Sequence, residues 1–454
     1  MVKFSRAIAG VTVSAALVLA AVAGPAAAVD EASPSPSASP TATPTPSASA
    51  TAQPCSANTA MANPDLAKLY AYVVNVETGE VLINERGTYQ TPSASVLKVL
   101  SVSAALTYLP TDYKATTKVF TVPGEPGTIV LKGGGDHTLS QVTKDGFTTY
   151  ERATRMFTLA NKVYSNWTAE VPISKIILDS SFFSGPSYNP AWKASDRTNG
   201  YISKITALQT DADRASPDLS KTDYSGYRST DPIGRTGSLF KTALGGLAKK
   251  AKLVEGKTPA GAVLLTSIAS QPITTWLDHA TVVSDNTETE FIARHAAKAT
   301  GRPASFASIE PMVKEMLTDL GIDSSKLIMK DGSGLAQANR VTPKLITELM
   351  VSVAKGNPTL APLESYLPVA GVKGGLAYRF TGKNVSARGA VKGKTGFIPG
   401  LYSLAGVIDA ADGSRLAYSI FARTADGKYV NGATRGAIDT LATRFYTCGA
   451  NLTE

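Results

Sequence analysis

Histidine is almost absent from this sequence: His137, His279 and His295 are the only three in 454 residues, and none stands in a recognisable catalytic context. A Gly-x-Ser-x-Gly elbow is missing too, so a serine nucleophile here would need a base other than histidine. Cysteine is just as scarce, with Cys55 and Cys448 alone. Two cysteines and three scattered histidines argue against a structural or catalytic zinc site, and no metal or cofactor is expected. Clustered basic charge is also lacking. The formal net charge is +9, yet Lys and Arg are spread along the chain. That argues against the dense footprint of a nucleic-acid binder and suits contact with an anionic cell envelope. Beyond residue 23 no segment is long and apolar enough to cross a bilayer, and no internal repeat is visible.

What is present begins with an export signal. Lys3 and Arg6 precede an apolar run from Ala7 to Ala23, and Ala26-Ala27-Ala28 supplies small residues for cleavage, giving a signal peptide over 1–28. A retained anchor is the alternative, but seventeen residues, mostly Ala and Val, make a short span. Residues 29–54 are nearly all Ser, Pro, Thr and Ala. Such a segment cannot bury a core and reads as a disordered tether. The protein is therefore expected outside the cell or held at its wall or membrane. In that setting Cys55 and Cys448, at the two edges of the folded part, suggest one disulfide that ties the start of the fold to its end.

The remaining chain alternates strand and helix patterns. "LYAYVVNVETGEVLINE" (69–85) reads as two strands around a turn, and "SVLKVLSVSAALTYL" (95–109) as a buried helix. Short strands with glycine punctuation follow from 113, then a helix over 149–164, a strand over 173–179 and a loop region over 180–236. After a strand over 262–270 come helices over 273–284, 287–300, 309–321 and 343–355. Three strands (387–397, 401–409 and 415–423) and a helix (432–448) close the chain. Strands early and late with helices between predict an α/β (α+β) fold with one mixed sheet completed by distant ends. Residues 55–112 and 250–454 would form that domain, with 113–249 inserted as a smaller accessory domain.

Three patterns carry possible chemistry. Ser95-Val96-Leu97-Lys98 puts a hydroxyl and an amine on one helical face. With 41 serines and 28 lysines, about two or three Ser-x-x-Lys matches are expected by chance. Ser238–Lys241 and Ser352–Lys355 are two others. A buried lysine near a second cation can be neutral and act as a base. Lys394-Thr395-Gly396 offers that cation on a strand. It is not a phosphate loop, because Gly389 to Gly393 is one residue short and no helix pattern follows. Ser284-Asp285-Asn286 sits between two helices, where a simple cap is the bland reading.

In this order the three patterns resemble the signature set of penicillin-binding proteins and serine β-lactamases. The long gap between Ser95 and Ser284 is similar to the class C, low-molecular-mass penicillin-binding proteins: the D-alanyl-D-alanine carboxypeptidase/endopeptidases of peptidase family S13. "LKGGGDHTLS" (131–140), "PAWKASDRTNGYISKITAL" (190–208) and "KDGSGLAQANRVTP" (330–343) resemble further segments of that family. His137 stands where the family usually has proline, and Thr289 where it often has alanine. The stretch 209–229 is short, which implies that a further nested domain is lost or reduced.

The resemblance implies a serine β-lactamase/transpeptidase-like fold and an acyl-enzyme on Ser95. Lys98 would take the serine proton, Ser284 would relay it to the leaving amine, Asn286 would orient Lys98, and Lys394 would keep the site electropositive. Thr395, Gly396 and Phe397 would hold the substrate, and Arg340 would meet an acidic group or form a structural ion pair. Peptidoglycan stem peptides and β-lactam antibiotics are the implied partners. A serine β-lactamase and a non-catalytic wall-binding relative are the alternatives.

Overall fold

A computed structural model of the chain describes residues 55–143, 146–215, 226–424 and 430–454. The signal and tether expected over 1–54 lie outside the described residues.

The chain opens with β1 (Cys55–Ser56) and a short α1 (Asn58–Met61), then the hairpin β2 (Lys68–Asn75) and β3 (Val81–Glu85), turning at Gly79 with φ +76°. The helix α2 (Lys98–Tyr108) follows a 3-10 turn at Ala94–Leu97. A second region holds β4 (Thr116–Thr121), β5 (Thr128–Lys132), α3 (Met156–Asn166), β6 (Lys175–Asp179), α4 (Ala194–Thr198), α5 (Pro232–Ala243), β7 (Lys252–Glu255) and β8 (Val263–Ala269). Helices α6 (Ile273–Val283), α7 (Asn286–Ala299), α8 (Ile309–Asp319), α9 (Pro343–Ala354) and α10 (Pro362–Tyr366) come next. Strands β9 (Val391–Ile398), β10 (Leu401–Asp409) and β11 (Arg415–Arg423), helix α11 (Gly432–Cys448) and β12 (Leu452–Thr453) close the fold.

The first sheet has the order β3-β2-β11-β10-β9 and is antiparallel throughout. Its central strands are apolar on both faces because both are covered. On β10, Leu404 and Ile408 pack toward α11, whereas Ala405 and Val407 join the core around α2 and α9. That period of two is the pleat. Helix α2 has no solvent-exposed face over its first two turns: Lys98 through Ala105 are all buried. It packs among α6, α7 and α8, as its continuous apolar pattern requires. The ends meet as expected. Cys55 and Cys448 form a disulfide with Cα atoms 5.4 Å apart, and β1 pairs with β12 beside it.

The second sheet is mixed, with order β7-β6-β5-β4-β8; β5, β6 and β7 run parallel, and β4 is antiparallel to both its neighbours. Two of its strands lie beyond residue 249, so this sheet reaches Ala269 rather than ending where the insertion was expected to end. The sequence hides this because β7 is a four-residue edge strand with three exposed residues, which leaves no apolar run to read. The expected loop over 180–236 also gives way at its end to α5. There Pro232 takes the first helical position and the Asp231 side chain accepts from Gly234 N at 2.9 Å.

Candidate active site

Three elements converge on one point: the start of α2, the α6–α7 junction and the outer strand β9. The start of α2 is strained. Ala94 has φ +46°, a region that non-glycine residues rarely enter. Two glycines hold it there. A Cβ on Gly334 would stand 1.9 Å from Ala94 O, and one on Gly396 would stand 3.0 Å from Ala94 Cβ and 2.3 Å from Ser403 Oγ. Only glycine permits the backbone to press on the Ser95 turn from both sides.

Ser95 is half-buried, and Lys98 behind it is fully buried. Lys98 Nζ donates to Ser95 Oγ at 3.1 Å, to Asn286 Oδ1 at 2.6 Å and to the Ser333 carbonyl at 2.8 Å. Three acceptors saturate an ammonium's three hydrogens. A neutral Lys98 would keep two of these bonds and turn its lone pair to the third partner.

The α6–α7 junction presents Ser284 by a specific turn. Ser284 adopts φ +66°, ending α6 in the left-handed region. Asp285 caps α7 by accepting from Glu288 N at 3.0 Å, and Asn286 is the first helical residue. The cap reading of this motif therefore holds for Asp285, while its neighbours face the site. Asn286 Nδ2 donates to Tyr201 O at 3.0 Å, which fixes its amide with Oδ1 toward Lys98. Lys394, fully buried on β9, donates to Ser284 Oγ at 2.8 Å and to Thr395 O at 3.0 Å.

Electrostatics separate the two lysines. Burial lowers Lys98 to about 8, opposed by the charges of Asp331, Glu290 and Asp285. Burial pushes Lys394 well below its ordinary value, and the charge of Lys98 pushes it further. The sequence reading expected the second cation to depress Lys98. Repulsion between two ammonium groups is mutual and disfavours charge on both, while the carboxylates of Asp331, Glu290 and Asp285 favour it on Lys98.

A cavity of about 830 Å³ opens over these groups, lined by Ser95, Ser284, Asn286, Thr395, Gly396 and Phe397 among others. Phe397 is half-exposed and packs on Tyr402 with ring centroids 4.8 Å apart. Strand β9 is the sheet edge, and Gly393 N points off the sheet to Pro368 O at 2.8 Å. By the period of two, the amides of Thr395 and Phe397 point the same way, toward the cavity.

Arg340 does not line this cavity. Its guanidinium donates to the carbonyls of Gln337 and Asn339 at 2.7 and 2.8 Å and so braces its own turn. Arg379 and Arg435 line the cavity instead. Arg379 is held by Asp439 at 2.6 Å. Neither arginine lies in a motif, and nothing in the linear pattern marks them. The contacts of the Tyr201 and Ser333 carbonyls with Asn286 and Lys98 run through backbone oxygens, which side-chain identity does not reveal.

The other two Ser-x-x-Lys matches are inert in their surroundings. Ser238 Oγ donates to Gly234 O and Ser352 Oγ to Glu348 O, each one turn back in its own helix. Among the described residues, His279, Asp285 and Glu288 are the group whose ligand atoms come close enough, within 4.8 Å, to suggest a metal. Their atoms are already engaged. Glu288 takes His279 Nδ1 at 2.5 Å, and Asp285 takes the Glu288 amide, the Tyr150 hydroxyl and the Arg214 guanidinium. A guanidinium in that position already supplies the positive charge a cation would bring.

The family described as D-Ala-D-Ala carboxypeptidase 3 (S13) matches residues 56–230 and 215–445. The chain belongs to this family. A carboxypeptidase DacB of Mycolicibacterium smegmatis is 33% identical over 85% of this chain and 82% of its own length. A D-alanyl-D-alanine carboxypeptidase of an Actinomadura strain is 26% identical over 77% of this chain and 76% of its own. The crystal structure of penicillin-binding protein 4 (dacB) from Haemophilus influenzae superposes with a TM-score of 0.70 at 20% identity, covering 84% of this chain and 96% of that one. That likeness shows a shared mixed α/β fold. As an S13 family member the protein is a hydrolase of the D-Ala-D-Ala carboxypeptidase class.

Proposed function

We propose that this S13 carboxypeptidase cleaves the terminal D-Ala-D-Ala bond of peptidoglycan stem peptides through an acyl-enzyme on Ser95. One observation carries the assignment: a single buried ammonium, Lys98, touches Ser95, Asn286 and the Ser333 carbonyl, while Lys394 touches Ser284 in the same cavity. With Lys98 near 8, on the order of a tenth of it is neutral at pH 7. In that fraction Nζ accepts the Ser95 proton as Oγ attacks the carbonyl carbon. The oxyanion is met by the amides of Ser95 and Phe397, at the start of the α2 turn and on the outward edge of β9. The C–N bond then breaks, and the proton held by Lys98 passes by way of Ser284 to the departing D-alanine amine, which leaves Lys98 neutral again while Lys394 keeps the site electropositive. Water, deprotonated by Lys98, attacks the ester, and Lys98 returns that proton to Ser95 Oγ as the acyl group leaves.

Thr395 and Lys394 bind the substrate carboxylate, whose negative charge raises Lys394 and restores its proton. The peptide lies along β9 as an added strand, with Phe397 and Tyr402 as an apolar shelf. β-Lactams occupy the same cavity as acyl donors and leave a slow ester on Ser95. Cleavage of a crosslink would use the same acyl-enzyme with a different leaving amine. The export signal, the tether and the disulfide support a location outside the cytoplasm, at an anionic envelope. The test is D-alanine release from a stem pentapeptide by the wild type and by Ser95→Ala. Release by the wild type alone is expected, and equal release by both would refute the site.

A further inference from the structure

Glu290 lies on α7, one turn past Asn286, and is fully buried. It touches neither the cavity nor Ser95. Both its oxygens instead face the turn 331–334. Gly332 N donates to Oε1 and Oε2 at 3.0 Å each, and Ser333 N donates to Oε1 at 2.8 Å. The Ser333 carbonyl in turn accepts from Lys98 Nζ at 2.8 Å. The same turn reaches the nucleophile, because Gly334 lies against Ala94 O. Ser101 Oγ fixes the Gly332 carbonyl at 2.7 Å, and Asp331 takes Gly334 N at 2.9 Å and Ala336 N at 2.7 Å. Residues 331–334 therefore brace Lys98 and the backbone before Ser95 together, and Glu290 anchors the middle of that brace.

We propose that Glu290 is a positioning residue for acylation: by holding the Gly332 and Ser333 amides it aims the Ser333 carbonyl at Lys98 and sets a negative charge beneath it. The charged groups that face Glu290 are Asp331 from the turn, Lys98 from α2 and Arg294 from the next turn of α7. Burial and Asp331 push the Glu290 carboxyl up to about 7. Its charge is thus present where Lys98 titrates, near 8, and raises Lys98. A glutamine at 290 would remove the charge and place an amide nitrogen against the Gly332 N–H, where a carboxylate oxygen now accepts.

The proposal rests on Ser95 being the acylated residue and Lys98 its base. The experiment is the second-order rate of acylation by a fluorescent penicillin from pH 5 to 10, for the wild type, Glu290→Gln, Glu290→Asp and Ser95→Ala. Glu290→Gln is expected to lower the high-pH plateau about 10- to 100-fold, as for other groups that orient a reacting side chain. It should also move the half-rise to lower pH by about one unit, since a lost negative charge lowers Lys98. Glu290→Asp keeps the charge but retracts it. Its half-rise should return to the wild-type pH while the plateau stays low. A Glu290→Gln half-rise at the wild-type pH overturns the proposal. If Glu290→Gln does not fold, Glu290→Asp acylating at the wild-type rate overturns it alone. Labelling of Ser95→Ala would instead bring down the site assignment, which keeps the two failures distinct.

Discussion

Ser95–Lys98 and Ser238–Lys241 are the same four-residue pattern in two places, and they have different fates. Ser95 stands at the strained entrance to a helix whose first two turns are buried, with glycines pressing on its backbone. Ser238 sits exposed within α5; its hydroxyl donates one turn back, and Lys241 reaches the Ala251 carbonyl at 2.7 Å. The spacing puts a hydroxyl and an amine on one face in both. The difference is desolvation and company. Lys98 loses water and gains Asn286 and Ser333 from distant parts of the chain, whereas Lys241 only braces the end of its own region.

That contrast can be broken by exchange. Ser95→Ala should cut D-alanine release by at least about 10⁴-fold, as removing a nucleophile does in a coupled catalytic unit, while Ser238→Ala leaves it unchanged. Steady-state release by both variants checks this. Next in size, Lys98→Arg keeps a permanent charge and cannot accept a proton. It should cost about 10²- to 10⁴-fold in acylation, against no change for Lys241→Arg. Wild-type acylation should rise with pH through about 8 and level off above it, because burial makes the neutral amine accessible there. A Lys98→Arg profile should lose that rise.

Gly396→Ala tests the backbone side of the comparison. An added Cβ would meet Ser403 Oγ and the Ala94 turn, pushing β9 off the oxyanion position. A loss of about 100- to 1,000-fold in acylation is expected, with the protein still folded by circular dichroism. The smallest effect on chemistry should come from Cys448→Ser. Opening a bridge between residues 393 apart removes about 2–4 kcal/mol of stability. The urea midpoint should fall while kcat per folded molecule holds.

Much of the frame was legible because it depends on local pattern. The hairpin over 69–85, the helix after Ser95 and the strands over 401–409 and 415–423 are rich in apolar residues, and each is an element of the structure; the strand expected from 387 begins at Val391. The Cys55–Cys448 bridge followed from there being two cysteines at the edges. What stayed hidden lacks a local signature. Strand β7 is short and exposed, so the second sheet's reach past 249 could not be read. The Tyr201 carbonyl, the Ser333 carbonyl and the Glu290 carboxylate meet partners far away in sequence, so their contacts with Asn286, Lys98 and the turn 331–334 could not be read from local pattern. The relation between the two lysines needed three dimensions, since the carboxylates that hold Lys98 up come from Asp331, Glu290 and Asp285.

The most direct test is to incubate the protein with penicillin, digest it and map the adduct by mass spectrometry. The account expects one penicilloyl group on Ser95 and none on Ser238 or Ser352. An adduct on another serine, or full modification of Ser95→Ala, would contradict it.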